Sequence, residues 1–197
     1  MRIVVATRNS GKLKEFGRIL SPLGYEVVSQ EEVCPGVEVE EDGVTFAQNA
    51  YKKAHELFLR TGLPTIADDS GLCVDALGGE PGVYSARYAG EPHSDEACNR
   101  KLLRNLEGVP AGERTARFVS AICCVFAEGD VVACEDSCEG LIGFEPRGTG
   151  GFGYDPLFLV GDKSFSELSG EEKDAVSHRG KALRAFAQMM KRRTNHC

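Results

Sequence analysis

The opening segment restricts what this chain can fold into more than any other stretch does. Arg2-Ile3-Val4-Val5-Ala6 is a short, largely β-branched apolar run, and the polar turn Thr7-Arg8-Asn9-Ser10-Gly11 follows it directly. Leu13, Phe16, Ile19 and Leu20 then recur on one face of a helix that Gly24 ends, and residues 25–29 read as a second strand. A strand, a loop, a helix and another strand, each with one apolar face, bury those faces together only in a layered α/β arrangement.

The remainder of the chain extends that pattern and then changes it. Beyond an acidic loop at residues 38–43, a helix is predicted from about 45 to 59. It carries Phe46, Ala50, Ala54, Leu57 and Phe58 on one stripe and stops at Gly62 and Pro64. Thr65-Ile66-Ala67 reads as a short strand that delivers Asp68-Asp69-Ser70-Gly71 at its C-terminal end, where open α/β sheets place their ligands. Ser94 can cap a third helix bearing Leu102, Leu103 and Leu106. Residues 117–127 and 131–138 read as two long strands of a hairpin around Glu128-Gly129-Asp130, which makes the sheet mixed rather than purely parallel. A glycine-rich loop at 148–156 precedes a short strand at 157–160. A capping box from Ser169 to Glu172 then introduces a last helix with Ala182, Leu183, Phe186, Ala187 and Met190 inward. No repeat or linker interrupts the 197 residues, so a single domain over 1–197 is expected.

Charge narrows the partners. A net charge of -7 argues against DNA, RNA or an anionic membrane as the main partner, because each requires a broad basic surface. The basic run Lys191-Arg192-Arg193 reads as a solvated helix end. No apolar stretch approaches the roughly 18 residues of a membrane span, and a soluble, cytoplasmic protein is expected. Several of the eight cysteines lie inside strand-like runs such as Ile122-Cys123-Cys124-Val125, which favours reduced, buried thiols. Cys134 and Cys138 are spaced like half of a metal site, but no further cysteine or histidine pair completes a zinc set.

Four groups of residues carry the chemistry. The loop from Thr7 to Lys12 joins a strand to a helix N-terminus, where free amides and the helix dipole attract an anion and Lys12 adds a point charge; it lacks the first glycine of a Walker loop. Glu40-Glu41 and Asp68-Asp69 offer the hard oxygen ligands that a magnesium–triphosphate complex requires. Read alone, the first acidic run is equally an ordinary solvated loop, whereas a turn needs only one of the two aspartates. Gly150-Gly151-Phe152-Gly153-Tyr154-Asp155 combines close backbone approach with aromatic rings suited to stacking on a base. Ser177-His178-Arg179, with Lys173 one helical turn earlier, is a patch rich in hydrogen-bond donors, or simply the cationic start of a helix.

In order along nearly the whole chain stand Thr7-x-Asn9-x-x-Lys12-x-x-Glu15, Glu41-x-Gly43-x-Thr45-Phe46-x-x-Asn49-Ala50-x-x-Lys53-Ala54, Ala67-Asp68-Asp69-Ser70-Gly71-Leu72, Tyr84-Ser85-Ala86-Arg87-Tyr88, the loop 148–156 and Ser177-His178-Arg179. Together they resemble the inosine triphosphate pyrophosphatases, also called XTP/dITP diphosphatases. The resemblance implies an elongated mixed sheet flanked by helices, two lobes with the active site in the cleft between them, and a homodimer. It implies magnesium-dependent hydrolysis of ITP, dITP and XTP to the monophosphate and pyrophosphate, which cleanses the nucleotide pool. In that picture Thr7, Arg8, Asn9, Ser10, Gly11, Lys12 and Lys53 hold the phosphates. Glu41, or its neighbour Glu40, serves the metal with Asp68 and Asp69, and Asp69 accepts the proton of the attacking water. Ser70, Phe152, Gly153, Tyr154, Asp155, Lys173, His178 and Arg179 line the nucleotide pocket. A related pyrophosphatase for other modified nucleotides and a nucleotide sensor without turnover are the competing readings; for a sensor the paired aspartates would be superfluous.

Overall fold

The computed structural model describes residues 1–194, with side chains to 192. It opens with β1 (Arg2–Val5) and α1 (Ser10–Leu20), whose N-cap Asn9 accepts the Lys12 amide at 3.0 Å. β2 (Glu26–Ser29) follows, then the short α2 (Gln30–Val33), closed by a reciprocal capping box between Ser29 and Glu32. That turn of helix is absent from the sequence expectation, because four residues show no 3.6-residue period. α3 (Phe46–Thr61) starts at the Thr45 cap and ends at Gly62, whose φ of 64° is left-handed.

β3 (Thr65–Val74) corrects the expected short strand. It runs for ten residues, and Asp68-Asp69-Ser70-Gly71 lies in its interior rather than beyond its end. Two adjacent aspartates resemble a turn in sequence, but both carboxylates are met by buried partners here, so the extended backbone continues through them. α4 (Asp95–Asn105) is capped by Ser94. β4 (Thr115–Ala127) and β5 (Asp130–Ile142) form the hairpin, each with thirteen residues and longer than expected. β6 (Phe158–Val160), β7 (Lys163–Ser164), α5 (Gly170–Val176) and α6 (His178–Thr194) complete the fold. The expected last helix is therefore two helices: Ser177, with ψ of 155°, leaves helical geometry between them. Lys191 and Arg192 are exposed at the end of α6, whereas the Arg193 side chain and Cys197 lie outside the described residues.

The seven strands form one sheet in the order β2-β1-β3-β4-β5-β6-β7. β1 is parallel to β2 and to β3, with Val4 opposite both Val28 and Thr65; β5, β6 and β7 are antiparallel. The sheet is thus mixed, parallel among β2, β1 and β3 and antiparallel from β5 to β7.

The chain divides into two compact units, each made of separated segments. Unit 1 comprises residues 1–69, 120–136 and the chain from 179 on; its core contains Ile3, Val5, Phe16, Leu20, Ile66, Ile122, Leu183 and Phe186. Unit 2 comprises 70–119 and 137–178, and its core contains Leu72, Leu102, Leu106, Phe118, Leu157, Phe158 and Phe165. Among the described residues seven cysteines are free thiols, of which Cys98, Cys123, Cys124 and Cys138 are buried. Among the described residues no helix is long and apolar enough to cross a membrane.

Candidate active site

In unit 1 the loop after β1 is shaped by its own side chains. Thr7 Oγ1 accepts the Asn9 amide at 3.1 Å, and Asn9 Oδ1 caps α1, so the first turn of that helix is held open-ended. Ser10 is exposed and Gly11 half-buried at this N-terminus. Arg8 turns to Glu38 at 2.6 Å, a solvent-screened pair.

Behind the loop, successive residues of β3 point to opposite faces and their carboxylates meet different neighbours. Asp68, 2% exposed, puts Oδ1 at 3.1 Å from Lys12 Nζ and Oδ2 at 3.0 and 2.9 Å from Nε and Nη2 of Arg179. Burial by itself would raise this carboxyl, but the charges of Arg179, Lys12 and Lys53 overcome burial and hold it far below the ordinary carboxylate range. Asp69 accepts the Asn49 amide at 3.0 Å on Oδ2, while Oδ1 stands 3.7 Å from Lys53 Nζ. Its proton affinity moves the other way: burial raises it, the charge of Glu41 adds to that, and Lys53, Lys12 and Asn49 offset it only in part. Two neighbouring carboxyls are thereby driven apart, the arrangement by which a site obtains a permanent anion and a usable base from one residue type.

Lys53 joins the acidic loop to this strand. Its ammonium donates to the Asp68 carbonyl at 2.7 Å and to Glu41 Oε1 at 2.7 Å. Burial disfavours the charge on Lys53, yet Asp69, Glu41 and Asp68 together raise its pKa. Burial dominates at Lys12, with Lys53 and Arg179 pushing the same way, and its pKa is lowered. Glu41 rather than Glu40 faces Lys53; Glu40 is exposed. Glu41 and Asp69 thus both face the Lys53 ammonium, at 2.7 and 3.7 Å.

In unit 2 the glycine-rich loop folds around Asp155. Its Oδ2 accepts the Phe152 amide at 2.9 Å and the Lys173 ammonium at 2.7 Å, and that ammonium lies 4.6 Å from the centre of the Phe152 ring. A Cβ on Gly151, where φ is 76°, would sit 2.1 Å from Asp155 Oδ2, so only glycine permits this approach. The Gly153 amide donates to Asp95 at 2.7 Å and its carbonyl accepts from Asn99, while Tyr154 donates its hydroxyl hydrogen to the Ser85 carbonyl. His178 is buried and stacked on Phe118 at 4.7 Å. Ser70 is half-buried within β3.

The structure therefore brings Lys12, Glu41, Lys53, Asp68, Asp69 and Arg179 together in unit 1, and Phe152, Asp155 and Lys173 together in unit 2. Arg179, expected in the nucleotide pocket, has its guanidinium against Asp68 and Glu15. Two members had no assigned role from sequence. Asn49, fully buried, receives the Gly43 amide on Oδ1 at 2.8 Å and so turns its own N–H toward Asp69; the signal was a polar residue inside the apolar stripe of α3. Glu15 is 4% exposed and left only a weak signal, its spacing three residues beyond Lys12.

A mixed α/β fold with a capped helix N-terminus, two half-buried lysines and paired carboxylates defines a protein suited to handling a polyanion. The chain belongs to the Ham1 family, whose profile matches residues 3–189. A dITP/XTP pyrophosphatase of Desulforamulus reducens is 54% identical over 98% of this chain and 96% of its own length. One from Geobacter sulfurreducens is 55% identical over 92% of each chain. The solved Ham1 protein of Coxiella burnetii superimposes with a TM-score of 0.88 at 40% identity, covering 98% of this chain and 99% of its own.

Proposed function

We propose that this protein hydrolyses non-standard purine nucleoside triphosphates, dITP, ITP and XTP, to the monophosphate and pyrophosphate, and so keeps them out of DNA and RNA. The relatives named dITP/XTP pyrophosphatases support the substrate class. The observation that carries the chemistry is the neighbouring pair Asp68 and Asp69, one held ionised by the cations around it and the other raised above the ordinary carboxylate value by burial.

Asp69 is then the general base, its proton affinity raised by burial and its carboxylate oriented by Asn49. Lys12 and Lys53, with the first-turn amides of α1 after Thr7, Arg8 and Asn9, carry the charge of the departing pyrophosphate. Glu41 and Asp69 would hold magnesium, with Asp68 behind them occupied by Lys12 and Arg179. The metal, when bound, supplies neutralisation of phosphate charge and a more acidic water. For the base we assign Ser70, Phe152, Gly153, Tyr154, Asp155, Lys173 and His178, a set that joins a stacking ring to fixed polar groups. We also propose a single functional domain over 1–197, a homodimer and a cytoplasmic setting; light scattering at micromolar concentration that reports a monomer would reject the dimer.

The deciding experiment is pyrophosphate release from dITP, ITP, XTP, GTP and ATP, with and without magnesium. Efficient release from the first three with magnesium is expected. Nucleoside diphosphate as first product would place the cut at the wrong bond, and equal efficiency on ATP would remove the assigned selectivity.

A further inference from the structure

The loop 148–156 has glycine at 148, 150, 151 and 153, a composition that leaves the backbone many conformations unless something outside the loop holds it. Its ring-bearing residue is nevertheless fixed on one side. Phe152 donates its amide to Asp155 Oδ2 at 2.9 Å, and its ring centre lies 4.6 Å from the Lys173 ammonium. On the other side the chain is held at Gly153, by α4 of the same unit.

Asp95 and Asn99 stand four residues apart on α4 and so share one face of that helix. Asp95 Oδ2 accepts the Gly153 amide at 2.7 Å, and Asn99 Nδ2 donates to the Gly153 carbonyl at 3.0 Å. Both backbone groups of one left-handed glycine, with φ of 62°, are thus met by two side chains of one helix. His93 Nε2 stands 3.0 Å from the other Asp95 oxygen, which keeps Oδ2 turned to the loop. Cys98, on the same face, meets the hydroxyl of Tyr154. The helix is itself anchored, by its Ser94 cap and by Cys98 and Leu102 in the core of unit 2, so a soft loop is tied to a rigid element.

We infer that Asp95 and Asn99 are positioning residues: by clamping Gly153 they hold the Phe152 ring as a preformed stacking surface for the base. A surface ordered before binding loses less freedom when the base arrives, which strengthens base binding without touching the phosphates. This rests on the proposed reading of Phe152 as a residue that meets the base.

The test uses the full-length protein and three measurements: hydrogen exchange of residues 148–156 without ligand, kcat and KM for dITP with magnesium, and the Kd of inorganic tripolyphosphate, a probe without a base. Asp95→Ala removes the acceptor, Asn99→Asp keeps the volume but removes the donor, and Asp95→Asn removes the charge but keeps an acceptor oxygen. Asp95→Ala and Asn99→Asp are expected to speed exchange in the loop and to raise KM for dITP on the order of tenfold, with kcat changed much less. Tripolyphosphate Kd is expected to stay within about twofold of native in both, and Asp95→Asn to keep KM within about threefold. If Asp95 served only as a first-turn anion of α4, Asp95→Asn would be as damaging as Asp95→Ala; if Asn99 served only to fill space, Asn99→Asp would be harmless. Either result overturns the inference, as does unchanged loop exchange in Asp95→Ala or an equal loss of dITP and tripolyphosphate binding. Should Asn99→Asp fail to fold, the two Asp95 variants, at a side chain half open to solvent, decide alone. Pyrophosphate release from dITP by the native protein tests the proposed activity separately.

Discussion

The two units solve the burial of charge in different ways. Unit 1 gathers Lys12, Lys53 and Arg179 against Glu15, Glu41, Asp68 and Asp69, and lets opposing charges set each group's proton affinity. Unit 2 buries the lysine–aspartate pair Lys173 and Asp155 beside Phe152, Phe165 and glycine backbone. A network of many charges can differentiate neighbours of the same type, as Asp68 and Asp69 show. On the proposed reading, unit 1 therefore carries the bond breaking and unit 2 the base.

The sharpest way to break this contrast is Asp69→Asn, which keeps the volume and removes the base. Turnover of dITP should fall by roughly two orders of magnitude or more, with KM changed much less. Asp155→Asn in unit 2 should do the opposite, altering KM and base preference more than kcat. Equal losses of kcat in both variants would show that the units do not divide the work. Next in size is stability: Lys173→Met deprives Asp155 of its buried cation and should cost on the order of 3 kcal/mol, read as a lowered urea midpoint at unchanged m-value.

The ionic network also predicts an acid response. Asp68 has a folded-state pKa depressed below its unfolded value of about 3.9, so its contribution to stability is complete above that value and is lost as pH falls through the folded pKa. Urea midpoints should therefore fall progressively below about pH 4, and Asp68→Asn should flatten that dependence; an unchanged slope would remove Asp68 from the account. The smallest effect concerns two thiols of unit 1, Cys123, which is buried, and Cys134, which is half-buried. Burial pushes Cys123 and Cys134 up to about 11, so at pH 8 roughly one molecule in a thousand carries either thiolate. Iodoacetamide followed by mass spectrometry should label both far more slowly than free glutathione, and labelling at the free-thiol rate would contradict this.

Much of the fold is written locally. Apolar periods locate α1, α3 and α4, Asn9, Thr45 and Ser94 cap them, and Gly24 and Gly62 take the left-handed turns that end the first two segments. These follow from interactions over a few residues, which a linear sequence displays. The ordered motifs named the loop from Thr7, Lys53, the two aspartates and the glycine-rich loop as candidates, and the structure places Lys12, Lys53 and the two aspartates side by side. What the sequence could not display is the division of labour within Asp68-Asp69, or the continuation of β3 through them. Both depend on Arg179, 111 residues from Asp68, and on Asn49, 20 residues from Asp69. Glu15 meets Arg179 across 164 residues. The proton affinity of a carboxyl is decided by burial and by the charges within a few ångströms, and only the folded chain determines which distant side chains those are.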